Sequence, residues 1–316
     1  MNPSGPSLRT TLAGLALRNP VILAAGTAGY VSELGDALDL SRIGAVVTKS
    51  ITAQPREGNP TWRILETRGG MLNAIGLANM GVDAFVDGYS AAVTAAPTTV
   101  IGSIAGYSID EYVTVARAFA ALPRMAAVEI NVSCPNVHAG CEFGADPKLL
   151  RDLLQALKPA LAGKPLMVKL SPIAVATPGG SMTDIARAAI DAGADALCIA
   201  NTTPAMGIDV ESRAPRLANT TGGLSGPAVH PIAVKLVHDV YRKVAKDASI
   251  PIVGIGGVLA WDDAAEFILA GATAVEMGTA LFADPRSPLR VVHGLERWVR
   301  RQGAASISEL VGAVRL

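Results

Sequence analysis

The chain reads as an α/β protein built as a (β/α)8 barrel of the TIM type, one domain over residues 1–316, and three observations predict it. Eight short runs nearly continuous in apolar residues recur along the chain, as strands buried on both faces should. Helical patterns separate most of them, which is the rhythm of parallel strands joined by crossovers. No G-x-G-x-x-G turn follows the first run, although the rival architecture, a doubly wound sheet, commonly carries one there.

In chain order, "LRTTLAGLALRNP" (8–20) predicts a terminal hairpin closing the barrel bottom. "VILAA" (21–25) and "AVVT" (45–48) are the first two strands. "TTVIGSI" (98–104) is the third, followed by a helix over 109–122. "AAVEINV" (126–132) is the fourth, with a helix over 147–162 whose Pro147 suits a first turn. "PLMVKL" (165–170) precedes a helix over 182–192, and "ALCIA" (196–200) one over 227–246, opened by Pro227. "PIVGI" (251–255) leads to a helix over 261–270, and "AVEMG" (274–278) to one over 287–301. Residues 50–81 and 202–226 are too long and polar for simple loops, so they are expected as lid insertions at the C-terminal face.

Composition excludes several classes. Half the residues are hydrophobic and 17% charged, which suits a large core rather than disorder. Formal net charge is zero, which argues against a nucleic-acid partner. No apolar run reaches about 18 residues, so no membrane span is expected. The first 30 residues lack the charged start and apolar block of a signal peptide, and a cytoplasmic protein is expected. Cys134, Cys141 and Cys198 form no C-x-x-C pair, and the four histidines lack metal spacing. Neither an iron–sulfur cluster nor a metal is expected in this chain.

Barrel enzymes keep their chemistry at the C-terminal strand ends. Polar residues gather there: Lys49 and Ser50, then Ser103, then Asn131, Ser133 and Cys134, then Lys169, then Asn201 and Thr202. Turn work accounts for glycines and for Ser103. It does not account for two lysines set in apolar strand ends, because a buried ammonium is costly unless paired. The seventh and eighth strand ends carry "GIGGV" (254–258) and "GTALF" (278–282). Glycine backbone and the Thr279 hydroxyl there suit the phosphate of a cofactor.

The ordered motifs "NPVILAAGTAGY" (19–30), "TKSIT" (48–52), "NAIGLANMGVD" (73–83), "NVSCPNV" (131–137), "VKLSP" (168–172), "ANTT" (200–203), "GGLSGPAVHPIA" (222–233), "GIGGV" and "GTALF" resemble the class 1 dihydroorotate dehydrogenases over nearly the whole chain. "NAIGLANMGVD" and "TGGLSGPA" are closer to the catalytic subunit of the NAD-linked two-subunit type than to the fumarate-linked homodimer. The resemblance implies FMN in the barrel and oxidation of (S)-dihydroorotate to orotate in de novo pyrimidine (UMP) biosynthesis. Cys134 matches the base that takes a proton from C5, while hydride leaves C6 for the flavin. Lys49, Asn73, Ala74, Ile75, Gly76, Leu77, Asn131, Asn201 and Thr202 match substrate positions. Ala25, Lys49, Ser50, Ser103, Asn131, Lys169, Ala200, Gly226, Gly256, Gly257, Gly278 and Thr279 match flavin positions. Implied partners are a second copy of the chain, as a homodimer core, and an electron-transfer subunit with FAD and a [2Fe–2S] cluster in an α2β2 assembly.

The chemistry of these residue types agrees. Lys169 offers a fixed ammonium for negative charge on a reduced flavin. Asparagine amides offer both donor and acceptor to the imide edges of orotate. A thiol with pKa near 8.5 is within reach of general-base work. Two positions depart from the family pattern: Ala25 stands where a serine is usual, and Ser103 where an asparagine is usual. They put flavin affinity and potential in question. Three alternatives stay open: a fumarate-linked homodimer, an oxidoreductase like dihydropyrimidine dehydrogenase, and a flavin-binding homologue without turnover. Among the remaining residues, Cys198 reads as core and Cys141 as a bystander thiol. His138 is the only histidine near the site. Trp62, Trp261 and Trp298 read as packing residues, with Trp62 a candidate for a subunit interface.

Overall fold

Eight parallel strands close on themselves in the computed structural model, which describes residues 6–133, 143–172 and 181–316. In chain order they are Val21–Leu23, Ala45–Val47, Thr99–Ile104, Met125–Asn131, Leu166–Leu170, Ala196–Ile199, Ile252–Ile255 and Ala274–Met277. Each pairs with its sequence neighbours, and the eighth returns to the first with Val275 opposite Val21. Every one falls on a predicted run, to within two residues at either end.

The pleat explains why nearly continuous apolar runs were needed, because alternate residues serve two cores. Ile22, Val47, Ile101, Ala127, Met167, Cys198, Val253 and Ala274 pack inside the barrel. Their neighbours Leu23, Val46, Val100, Val128, Val168, Leu197, Ile252 and Val275 pack against the helices. The predicted hairpin is present as Thr10–Leu12 paired with Leu15–Leu17. Its Leu12 and Leu17 join the interior cluster and plug the bottom.

The helices mostly follow expectation. Ser108 caps Ile109–Ala121, Asp146 caps Pro147–Ala160, and Ser181 with Asp184 forms a capping box on Met182–Asp191. Trp261–Ala270 and Ser287–Arg301 match their predicted bounds. The segment predicted as one helix from 227 is four pieces: a 3-10 turn Pro227–Val229, helix His230–Val240, a π turn Tyr241–Ala245 and helix Lys246–Ala248. Helix Val82–Ala95 was not predicted; Gly88 and four β-branched residues weaken its propensity, and burial of Val82, Phe85 and Val93 compensates. Between the first two strands only a 3-10 turn, Leu40–Arg42, stands where a helix would complete the pattern.

The two insertions meet. Thr203–Ala205, Gly222–Ser225, Gly70–Asn73 and Ile64–Thr67 form one antiparallel sheet in that order, with Gly223 opposite Asn73. No helix among the described residues is long and apolar enough to cross a membrane.

Candidate active site

A cavity of about 510 Å³ lies between the C-terminal strand ends and the insertion sheet, a size usual for a small-molecule site. Lys49, Asn73, Ala74, Ile75, Gly76, Leu77, Asn131, Asn201 and Thr202 all line it. So do Ala25, Ser50, Lys169, Ala200, Gly226, Gly256, Gly257, Gly278 and Thr279. Residues from seven barrel strand ends and both insertions thus converge on one space. Ser103 does not line it. That residue is fully buried, and its hydroxyl bonds the Ser50 hydroxyl at 2.8 Å, so it reaches the cavity only through Ser50. Cys134, Cys141 and His138 lie outside the described residues; Ser133, next to Cys134, lines the cavity.

On one side the amides form a linked set. Asn131 Oδ1 accepts from Asn201 Nδ2 at 3.2 Å and from the Ser133 amide at 3.2 Å, which fixes the orientation of its carboxamide. Asn201 Oδ1 in turn accepts from the Thr202 amide at 2.8 Å. Across the cavity, Asn73 Nδ2 donates to the Gly223 carbonyl at 3.2 Å, tying one insertion to the other. The arch 73–77 is held from behind. Asn59 donates to the Ala74 carbonyl from its side chain at 2.9 Å and to the Ile75 carbonyl from its backbone at 3.0 Å. Asn79 donates to the Leu77 carbonyl at 2.7 Å and to the Thr52 hydroxyl at 2.8 Å, and accepts from the Gly81 amide at 2.9 Å.

The floor is ionic. Lys169 is 6% exposed and its Nζ lies 3.0 Å from Glu276 Oε2 and 3.5 Å from Glu129 Oε1. Strand alternation puts all three on the inner face, with Cys198 beside them. The Cys198 sulfur and the nearest oxygens of both glutamates lie within 4.8 Å of one another. Burial opposes the charge on Lys169, but the two carboxylates outweigh it and hold its pKa above the ordinary lysine range. Burial first, then the charge of Glu129, push Glu276 up to about 8 against the pull of Lys169. Burial, then both carboxylates, raise Cys198 well above the usual thiol range, so it is a neutral core thiol.

The opposite end is built of backbone. Gly226 (φ +94°) and Gly257 (φ +68°) approach so closely that a Cβ on Gly257 would lie 2.7 Å from the Gly226 carbonyl oxygen. Only glycine combines that φ with that contact. The His230 ring bonds the Gly256 carbonyl through Nδ1 at 2.8 Å and anchors this loop to the helix behind it.

Sequence reasoning overlooked Glu129, Glu276, Asn59 and Asn79. The two glutamates carried a usable signal. Each is a lone acid inside an apolar strand, two residues before Asn131 and Gly278 respectively, and therefore on the same inner face. The asparagines carried none: Asn59 bonds the carbonyls of Ala74 and Ile75 across the insertion, and Asn79, which bonds Leu77 and Gly81 locally, is tied to Thr52 only by the fold. Trp62, read first as packing, is 72% exposed, whereas Trp298 is buried.

The family model described as dihydroorotate dehydrogenase matches residues 7–299. A Geobacter sulfurreducens protein is 47% identical over 315 residues, covering 98% of this chain and 99% of its own. Proteins of Trichlorobacter lovleyi (47% over 313 residues, 98% and 99% coverage) and Geotalea uraniireducens (45% over 310 residues, 98% of each) are similar. All three carry the name dihydroorotate dehydrogenase B (NAD(+)), catalytic subunit.

Proposed function

The chain belongs to the dihydroorotate dehydrogenase family, and from that premise we propose that it oxidises (S)-dihydroorotate to orotate in pyrimidine biosynthesis, with FMN in the cavity and electrons leaving to NAD through a partner subunit. The observation that carries this reading is one cavity with two chemically distinct ends. The asparagine set of Asn73, Asn131 and Asn201, with Lys49, suits a planar anion with imide edges. The ammonium of Lys169 and the side-chain-free backbone at Gly226, Gly256, Gly257 and Gly278 suit a flavin and its phosphate.

When bound, FMN supplies a two-electron acceptor for the substrate hydride. The chain does the rest. Lys49 would attract the substrate carboxylate, and the asparagines would bond the imide edges and hold the ring in place. The arch 73–77, backed by Asn59 and Asn79, covers the substrate and excludes water. Cys134 takes the C5 proton. Lys169 would hold a fixed positive charge at the cavity floor, which would stabilise the negative charge of a reduced flavin bound there. By the relatives' name, the electrons then pass to NAD; a partner bearing FAD and a [2Fe–2S] cluster in an α2β2 assembly supplies the route.

The test is anaerobic mixing of the purified yellow chain with dihydroorotate. Bleaching of the flavin band and formation of orotate in equal amounts are expected. Retention of FAD instead of FMN, or bleaching by dihydrouracil but not by dihydroorotate, would refute the assignment.

A further inference from the structure

Two carboxylates and one ammonium are buried together under the cavity, and their charges do not balance. With both acids ionised, Lys169, Glu129 and Glu276 carry one net negative charge in a site that is almost entirely buried. Both oxygens of Glu129 and Oε1 of Glu276 are buried without a hydrogen-bond donor. Carboxylate oxygens only accept, so a proton held by the pair is what would create a donor and cancel the excess charge.

We propose that Glu129 and Glu276 share one proton beneath the cavity and act as positioning residues for Lys169, so that, once that proton has been lost to solvent, electron uptake above the lysine draws one back into the pair. This rests on the reading that the cavity holds a flavin. Glu276 itself lines the cavity, which gives the proton a path to solvent. The titratable groups facing it are Lys169 from the fifth strand, Glu129 from the fourth and Cys198 from the sixth. The first, second and seventh strands bring none, and the third brings only hydroxyls. Lys49 lines the cavity above.

The balance is simple. Substrate delivers two electrons with its hydride and gives its other proton to the base. The proton drawn back comes from solvent, forms one O–H bond at the carboxylate pair, and returns to solvent when the two electrons leave for the acceptor. Below the pH at which Glu276 releases its proton the pair is already filled, and reduction draws nothing. Burial and the charge of Glu129 set that point at about 8. Above it, negative charge over Lys169 raises the proton affinity of the pair, and reduction takes one proton up.

Two measurements test this. The midpoint potential of the flavin-loaded chain is followed from about pH 6 to about pH 10, a range that brackets the titration. In the parent its slope should steepen above about pH 8 by one proton per two electrons, a tenfold change or about 30 mV per pH unit. Glu276→Gln and Glu129→Gln each leave one carboxylate facing one ammonium with no proton to share, so both should keep the shallower slope. The flavin-free chain at neutral pH should show an infrared carboxylic-acid carbonyl band that fades on alkalinisation and is absent from both variants. That second arm stands whether or not flavin binds. A missing band in the parent, or a band surviving in both variants, would overturn the shared proton. A band as expected, with potentials of parallel slope in all three proteins, would overturn the coupling to electron uptake. If one variant does not fold, the other decides.

Discussion

Lys169 shows how one residue can be legible while its reason is not. An ammonium in "PLMVKL" is conspicuous in the sequence because nothing else in that strand is polar. Its partners sit 40 residues before it and 107 after it, where each looks like an ordinary strand acid. Only closure of the barrel brings them to 3.5 and 3.0 Å. Removing the cation tests that arrangement. Lys169→Met leaves two buried carboxylates uncompensated, a loss of about 3–5 kcal/mol when both are ionised. With the cation gone, burial raises Glu276 without the opposing pull of Lys169, so the folded chain binds more protons than the unfolded one and stability falls as pH rises. Thermal unfolding of the flavin-free variant should therefore lie below the parent by a margin that widens from about pH 6 to about pH 9; a margin independent of pH would contradict the ion cluster. Cys134, by contrast, rests on its motif and its neighbour Ser133. Cys134→Ala should slow flavin reduction by about 10² or more while orotate still binds, since general-base contributions run about 10²–10⁴ and product binding needs no proton removed. Rapid-mixing spectra that show near-normal reduction would remove Cys134 from the role.

Among elements, the barrel was readable and the lid was not. Buried parallel strands announce themselves as apolar runs, and the capping residues Ser108, Asp146 and Ser181 mark helix starts locally. The insertions were visible only as excess length, because their sheet pairs Gly70–Asn73 with Gly222–Ser225, about 150 residues away, and no local period encodes that. Helix Val82–Ala95 was hidden for a related reason: tertiary burial overrides its poor propensity. What shapes the lid is Asn79, 7% exposed, whose side chain also accepts from the Thr52 amide at 3.2 Å. It holds Leu77, at φ +58°, in the left-handed region. Asn79→Ala should cost about 1–3 kcal/mol in stability for the buried groups it leaves unpaired. More tellingly, it should raise KM for dihydroorotate about tenfold, equivalent to about 1.4 kcal/mol of lost positioning, with flavin content unchanged. Steady-state kinetics on flavin-replete protein check this; lost flavin with an unaltered KM would assign Asn79 to the cofactor side.

At the scale of the whole molecule the open matter is where the electrons go. On the proposed reading the cavity holds a flavin, and a reduced flavin must be reoxidised for turnover. Nothing in the chain reads as a second redox centre: its three cysteines form no cluster set, and no G-x-G-x-x-G turn offers NAD a site of its own. No helix among the described residues is long and apolar enough to cross a membrane. Two routes differ in their chemistry. Fumarate, a small dianion, would have to take the orotate place beside Lys49 and the asparagines after orotate leaves. A partner would instead collect electrons from the flavin while product still occupies that place, and relatives named as catalytic subunits of an NAD-linked enzyme favour this second route. The isolated flavin-loaded chain should accordingly reduce artificial dyes with dihydroorotate but form no NADH. Adding the cluster-bearing flavoprotein from the same cell should bring NADH formation with it, in proportion to the complex formed on a sizing column. Fumarate-dependent turnover by the isolated chain at the dye-linked rate would overturn this and make the second copy of the chain the only partner the reaction needs.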